Sequence, residues 1–207
     1  MTNRRNLFRL AALALSGTFP ALVDGAVAAV GAGDAGAFVK SIGDQLVSII
    51  NAPGDGRQKR TEIARVIDAS VDVDGIARFC LGRFWPRATP DQQRDFIQAF
   101  RSMLVTNVAQ KLGDYRGVRF SVGRTQRRDT GDLVTTTIER PNEQPSHIDW
   151  LITQVGGTQK IEDMVAEGVS MRITQRSDYE SFLNKNGGDI VQLIRSLQQR
   201  AAQMAAR

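Results

Sequence analysis

The side chains best suited to acid–base chemistry lie together in residues 161–176, which read IEDMVAEGVSMRITQR. Paired-carboxylate catalysis requires two acids on the same face of an element, at a defined separation. Glu162 and Asp163 are adjacent on a predicted strand, so their side chains point to opposite faces. Asp163 shares the parity of the neighbouring apolar residues, which predicts a partly buried carboxylate held by a hydrogen bond or an arginine. With Glu167 interpreted as an acceptor for backbone N–H groups, the pattern favours structural over catalytic carboxylates.

The other candidates for catalysis or metal binding are one histidine and one cysteine. His147 follows Pro145 at the start of a predicted strand, where we expect it to be exposed. Cys80 lies between Phe79 and Leu81 on a predicted helix, which favours a buried, inert thiol over a nucleophile. A zinc site requires more His and Cys ligands than the chain has, and neither calcium-loop nor phosphate-loop spacing occurs. The sequence therefore predicts no catalytic residues, no metal site and no cofactor, which leaves binding as the function.

Residues 1–28 have the composition of an export signal. Arginines precede the apolar run LAALALSG, which is too short to span a bilayer, and Ala26, Val27 and Ala28 give the small-x-small pattern that signal peptidase recognises. The stretch RRNLFR resembles the twin-arginine signal with its Leu and Phe in reversed order, yet adjacent arginines also occur in Sec signals. We therefore predict a periplasmic protein cleaved near Ala28, by either route, with residues 29–207 forming one domain.

The composition is that of an ordinary folded protein with a modest positive charge. Charged residues make up 24% and aromatic residues 6% of the 207-residue chain, and the formal net charge is +5. Loss of residues 1–28 removes three arginines and one aspartate and leaves a charge of +3. This surplus favours a solvated basic surface over nucleic-acid binding. With a single cysteine the mature protein has no internal disulfide, so its core must supply the stability.

Helical periodicity dominates the first half of the chain. Apolar residues recur at helical spacing in residues 38–50 and 57–69, and a third, shorter helix is predicted to follow Asp74 as its N-cap. The clearest helix start is ATPDQQ, in which Thr89 is the N-cap, Pro90 suits the first helical position and a glutamine completes a capping box. We expect this long helix to carry an apolar stripe with two phenylalanines and a methionine on one face.

The apolar period then changes from 3.6 to 2, which indicates strands. Four alternating runs are separated by short turns, near residues 118–122, 134–138, 148–152 and 161–165. Two more helices follow, with N-caps predicted at Ser177 and Asp189. The predicted fold is therefore α+β, a four-stranded antiparallel sheet with N- and C-terminal helices packed on it.

The sheet and the long helix together contain many large or flexible apolar residues. They are consistent with an ordinary filled core. Met-rich and aromatic-rich interiors are also typical of cavities that bind apolar ligands, so composition leaves both interpretations open.

Two segments resemble the MlaC family, also called the toluene-tolerance auxiliary proteins: LGRFWPRATPDQQRDFIQAFRSMLVTNVAQKL and KIEDMVAEGVSMRITQRSDYESFLNKNGG. The likeness extends over about residues 34–197. It implies a periplasmic carrier whose α+β fold encloses an apolar pocket for the acyl chains of a phospholipid. It also implies two partners, an inner-membrane ABC transporter complex and an outer-membrane lipoprotein complex, and no covalent chemistry. An HpnM-like subgroup associated with hopanoid synthesis shares TQRS and NGG, so a hopanoid-type lipid is a second ligand class.

The resemblance also directs attention to the apolar residues as candidates for lipid binding, with VAEGVSM as part of the pocket wall. These candidates are Phe84, Trp85, Phe96, Phe100, Met103, Leu104, Val108, Phe120, Val134, Trp150, Met164, Val169 and Met171. The competing hypothesis is a structural or interaction module of the same fold with a filled core. A small-molecule binder or hydrolase on this scaffold is disfavoured because the chain lacks an acid–base set.

Export with removal of residues 1–28 is testable on protein recovered from the periplasm. N-terminal sequencing should begin near Ala29, because signal peptidase cuts after the small-x-small pattern. Recovery of mature protein that retains Arg4 and Arg5 would contradict this prediction. Replacing both arginines by lysine separates the routes: a strong loss of export indicates the twin-arginine pathway, and unchanged export indicates Sec.

Overall fold

The computed structural model describes residues 32–113, 119–139 and 144–206, and the predicted export signal at 1–28 lies outside them. The first described part is helical: α1 (Ala32–Asn51), α2 (Gly56–Ser70), α3 (Val73–Leu81), a 3-10 helix (Gly82–Arg87) and α4 (Pro90–Gly113). Strands follow: β1 (Arg119–Arg128), β2 (Gly131–Glu139), β3 (Ser146–Val155), β4 (Thr158–Ala166) and β5 (Val169–Ser170). The chain then returns to helix in α5 (Met171–Lys185) and α6 (Ile190–Ala205). The α+β class predicted from periodicity is confirmed.

Two helix starts agree with their predicted caps. At α4, Thr89 Oγ1 accepts a hydrogen bond from the N–H of Gln92 at 3.2 Å, and Gln92 Oε1 accepts from the N–H of Thr89 at 2.9 Å. At α6, Asp189 Oδ1 accepts from the N–H of Gln192 at 3.0 Å. Each bond satisfies a donor that the first helical turn leaves without an intrahelical partner. These polar residues therefore set the starts of two helices that pack against each other.

Two other helices begin earlier than their sequence patterns predict. The N-cap of α3 is Asp72, whose Oδ1 accepts from the N–H of Gly75 at 3.1 Å, and the predicted cap Asp74 lies in the first turn. The N-cap of α5 is Ser170 and not Ser177. A carboxylate in the first turn of a helix is stabilised by the helix dipole. The sequence pattern at Asp74 therefore suits a first-turn residue as well as an N-cap. At α5 the deciding factor is tertiary, because Ser170 also bonds a buried carboxylate on β4.

The described part of the chain forms a sheet of five antiparallel strands in the order β1-β2-β3-β4-β5, where four were predicted. The additional strand is β5, whose two residues pair with Val165 and Ala166 at the end of β4. Glu167 and Gly168 connect the two strands with φ values of 50° and 77°. A two-residue hairpin turn of type I′ requires positive φ at both of its central residues. A two-residue strand is too short to produce a detectable alternation, so periodicity predicted only the four longer ones.

The apolar core lies between one face of the sheet and the helices. Val134 on β2 is directly opposite Trp150 on β3, and Trp150 is opposite Met164 on β4. Helix α1 packs over β1, and it approaches closely because Gly43 has no side chain. A Cβ at Gly43 would stand 2.4 Å from the ring of Phe120. One face of the sheet is therefore covered, as the α+β prediction requires.

Gly131 at the start of β2 has no room for a side chain. Its φ is 157°, and a Cβ there would lie 2.2 Å from the backbone oxygen of Ile152. We expect Gly131→Ala to lower the free energy of unfolding by about 2 kcal/mol or more, because backbone atoms of β3 cannot move aside without disturbing the sheet. Gly56→Ala is the matched control, since a Cβ at Gly56 meets nothing within 4 Å. Urea unfolding measures both variants, and equal stability would contradict this account.

Candidate functional site

Ten of the thirteen candidate residues join one apolar core. Four of the ten are buried: Phe84, Phe96, Phe100 and Val134. The other six are half-buried against this core: Trp85, Met103, Leu104, Val108, Phe120 and Trp150. Outside this set, Met164 and Met171 are half-buried, whereas the side chain of Val169 is 50% exposed. The structure therefore collects most of the candidates in the interior and places Val169 at the surface.

The aromatic part of this interior joins α4 to α5. The rings of Phe96 and Phe100 are 6.3 Å apart, and the ring of Phe96 meets that of Tyr179 edge-on at 5.7 Å. Burial raises the pKa of the Tyr179 hydroxyl above its usual value, so this residue is neutral. Tyr179 had no distinguishing signal in the sequence apart from its position on the apolar side of a helix. A ring near the start of α4 therefore contacts a tyrosine of α5.

The sheet contributes a buried polar contact to the same interior. The Trp150 indole N–H donates to Thr136 Oγ1 at 2.9 Å, and the Thr136 hydroxyl donates to the carbonyl of Ile148 at 3.1 Å. Thr136 is fully buried. These bonds allow an indole to lie in an apolar interior without an unsatisfied N–H group. Sequence reasoning missed Thr136, although it is one of the alternating residues on β2 that face the same way as Val134.

The carboxylate of Asp163 has a structural role, as predicted, whereas Glu167 is exposed in the turn after β4. Asp163 is 7% exposed, and its Oδ1 accepts from the backbone N–H groups of Met164 at 2.8 Å and Arg172 at 3.1 Å. Its Oδ2 accepts from the hydroxyl of Ser170 at 2.5 Å and lies 3.6 Å from the Arg172 guanidinium. Ser170 is also the N-cap of α5, so one buried carboxylate joins β4, β5 and α5. The wall predicted at VAEGVSM is thus a hydrogen-bonded junction.

Arg172 links this junction to the neighbouring helix α3. Its guanidinium pairs with Glu162 and lies over the ring of Phe79, 4.7 Å from the centroid. Cys80 is fully buried, and its Sγ lies 3.6 Å from the Arg172 carbonyl oxygen. Burial raises the pKa of the Cys80 thiol to about 12, which keeps it protonated and unsuited to nucleophilic attack. The prediction of a buried cysteine is confirmed.

The remaining polar candidates do not converge on a common point. His147 is exposed on β3, as predicted, with its Nδ1 3.2 Å from the hydroxyl of Thr137. Within residues 32–113, 119–139 and 144–206, no three His, Cys, Asp or Glu side chains are grouped as metal ligands. In the same ranges, no helix is both long and apolar enough to cross a membrane.

A separate cavity of about 480 Å³ opens between α2, α4 and the end of α6. Its lining comprises six residues: Arg57, Arg60, Thr61, Ala64, Val105 and Ala205. None of the thirteen candidate residues is among them. The cavity is therefore distinct from the predicted lining of large apolar side chains.

These features define a class of α+β protein in which helices cover the apolar face of an antiparallel meander. Residues 40–199 match the MlaC protein family, and the chain therefore belongs to this family.

Two individual proteins are similar to the chain over most of its length. The first is the intermembrane phospholipid transport system binding protein MlaC of Haemophilus influenzae. It is 24% identical over 178 residues, covering 80% of this chain and 81% of that protein. The second is the phospholipid-binding protein from Ralstonia solanacearum, whose structure was solved in complex with a phospholipid. It has a TM-score of 0.71 and 25% identity, over 83% of this chain and 98% of that one.

The role of Asp163 in joining β4 to α5 is testable by unfolding. We expect Asp163→Asn to lower the free energy of unfolding by about 2 to 3 kcal/mol, because hydrogen bonds from buried donors to a charged acceptor are lost or weakened. Glu162→Gln removes the adjacent charge from the same arginine and is the matched control. It should cost about 1 kcal/mol or less, since the Glu162 side chain is partly solvated. Equal losses measured by urea unfolding would rule out a special role for Asp163.

Proposed function

We propose that this protein is a periplasmic carrier that binds a phospholipid by its acyl chains and moves it between membranes without covalent chemistry. The observation that carries the proposal is the likeness of nearly the whole fold to a protein solved in complex with a phospholipid. Membership of the MlaC family, with a relative from an intermembrane phospholipid transport system, supports the same conclusion. A hopanoid-type lipid is the second ligand class that the proposal includes.

The interior has the properties that acyl-chain binding requires. Met103, Leu104 and Val108 lie half-buried along α4, and Phe120 and Trp150 lie half-buried on the sheet. An unbranched side chain such as that of Met103 can rearrange around a flexible ligand more easily than a β-branched one can. Each buried CH₂ group contributes roughly 0.8 kcal/mol, so two acyl chains provide ample affinity without a polar clamp. We therefore assign the thirteen candidate residues as the proposed lining, with Val169 at its exposed margin.

The proposed setting follows from the same arguments. The export signal at residues 1–28 would deliver residues 29–207 to the periplasm as a single domain. An inner-membrane ABC transporter complex and an outer-membrane lipoprotein complex would then supply and receive the lipid. Because the acyl chains provide most of the binding energy, we expect selectivity for the head group to be weak.

A filled-core interaction module remains the alternative, and one observation favours it. The centre of the interior is closely packed in the described residues, with Phe96, Val134 and Thr136 fully buried. A carrier with this structure must therefore rearrange its interior to admit a lipid, whereas an interaction module need not change. Native mass spectrometry separates the two: added lipid mass on purified protein supports the carrier, and bare mass after exposure to lipid supports the module.

Lipid should stabilise the folded protein if the carrier hypothesis is correct. A ligand that binds only the folded state adds about 2.7 kcal/mol at a hundred times its dissociation constant. We expect delipidated protein to melt at a lower temperature and to recover when phospholipid is added. Identical melting with and without lipid, in a sample shown to be free of lipid, would contradict the proposal.

A pair of aspartate variants tests which part of the molecule binds the lipid. Met103→Asp places a carboxylate among half-buried apolar side chains, where it opposes acyl burial. Val191→Asp is the control, because Val191 is 37% exposed on α6. We expect Met103→Asp to lose bound lipid and the lipid-dependent rise in melting temperature, while its far-UV circular dichroism stays native. If both variants behave alike, the half-buried face of α4 is not the lining.

A further inference from the structure

The cavity between α2, α4 and the end of α6 combines a positively charged rim with an apolar floor. Its volume of about 480 Å³ lies within the range of small-molecule sites. Arg57, Arg60 and Thr61 come from one face of α2, at the spacing that makes side chains neighbours on a helix. Ala64 and the buried Val105 form the apolar part. The cavity therefore presents cations and carbon surface to the same space.

One of the two arginines is held in position by the fold. Arg60 is half-buried, and its Nη2 donates to the carbonyl of Ala205 at 3.2 Å, so the end of α6 orients this guanidinium. A guanidinium has five N–H donors, and this bond uses one of them. Arg57 stands one turn earlier on α2 and is exposed. The Arg60 guanidinium is therefore held in place, while the exposed Arg57 side chain is free to approach an anion from the other side.

No carboxylate neutralises this pair within the described part of the chain. Neither Arg57 nor Arg60 forms an ion pair with an acidic side chain within 4.0 Å there, and the six lining residues include no acid. Two like charges at this helical spacing disfavour the helix when nothing lies between them. An anion held between the guanidinium groups would reverse that effect.

The donor set selects among anions. Planar guanidinium groups match the paired oxygens of phosphate, and two of them suit a phosphate better than a halide. The Thr61 hydroxyl already donates its proton to the carbonyl of Arg57 at 3.1 Å. It can therefore only accept a hydrogen bond from a ligand, and the arginines must supply the donors for a phosphate. The apolar floor suits the carbon next to a phosphate ester more than it suits an inorganic ion.

We propose that this cavity, defined by Arg57, Arg60, Thr61, Ala64, Val105 and Ala205, binds the phosphate group of a phosphate ester. The guanidinium groups contact the phosphate, and Ala64 and Val105 contact its carbon substituent. The site is separate from the proposed acyl lining, and its occupation does not depend on lipid carriage. The same chemistry occurs in a soluble glycerol phosphate and in the head group of an anionic phospholipid.

Amide chemical shifts measured on the purified protein test the site and distinguish its sources. Three probes are titrated: inorganic phosphate, glycerol 3-phosphate, and vesicles of phosphatidylcholine with or without phosphatidylglycerol. We expect saturable changes confined to residues near 57–64, Val105 and Ala205, and weaker binding of inorganic phosphate than of the ester. A response to glycerol 3-phosphate identifies a soluble ester as a ligand, and a response to anionic vesicles alone identifies a lipid head group. No saturable response to any probe would overturn the proposal.

Two arginine variants distinguish binding at a specific site from non-specific attraction of the ligand to a positively charged surface. Arg57→Gln should weaken binding at least tenfold, because half of the cationic rim is removed while the bond from Arg60 to α6 is kept. Arg65→Gln removes the same charge from an exposed position on α2 outside the cavity and should leave the affinity unchanged. Equal losses in both variants would overturn the proposal in favour of non-specific attraction. Lipid loading measured on the same samples should be normal, so failure here and failure of the carrier hypothesis are distinguishable.

Discussion

A carboxylate buried on β4 accepts hydrogen bonds from three later positions in the chain: the N–H of Met164, the hydroxyl of Ser170 and the N–H of Arg172. An unpaired charge in this location would be strongly destabilising, so the three donors must be present for Asp163 to be buried. Their arrangement determines where the sheet ends and where α5 begins. Helix α5 then carries Tyr179 to the ring of Phe96 on α4.

The interior that this junction supports contains few polar groups, and among the described residues only the Arg172 Nε is buried without a hydrogen-bond partner. Trp150 is satisfied by Thr136, which is itself bonded to the strand beside it. A polar contact of this kind holds the indole in one orientation. In the proposed carrier, this fixed contact would border the side chains that rearrange around the acyl chains.

Several arginines cover aromatic rings near the start of α4. Arg78 lies over the ring of Trp85 at 5.2 Å, and Arg83 and Arg87 both lie over the ring of Phe84, at 5.1 and 5.5 Å from its centroid. These contacts shield apolar surface from water while leaving the charged groups solvated. The arginines near the start of α4 therefore contribute to packing. At α2 the cations instead border a cavity.

The sequence alone was sufficient to predict the fold class, because periods of 3.6 and 2 depend only on which residues are apolar. It also determined the caps Thr89 and Asp189, which bond within their own helical turns. The burial of Cys80 and Asp163 could likewise be read from neighbouring apolar residues. Each of the two caps has its physical cause within one helical turn, whereas the burial of Asp163 also depends on donors at Ser170 and Arg172.

The packing of the whole chain sets the features that depend on residues far apart in the sequence. It placed the N-cap of α5 at Ser170, because the hydroxyl there meets Asp163 on another strand, whereas the equally suitable pattern at Ser177 has no such partner. It decided that Val169 is exposed while Trp150 is sheltered, although both are apolar residues on strands. It also brought Arg57 and Arg60 to the end of α6, a proximity that arises only when distant helices pack together.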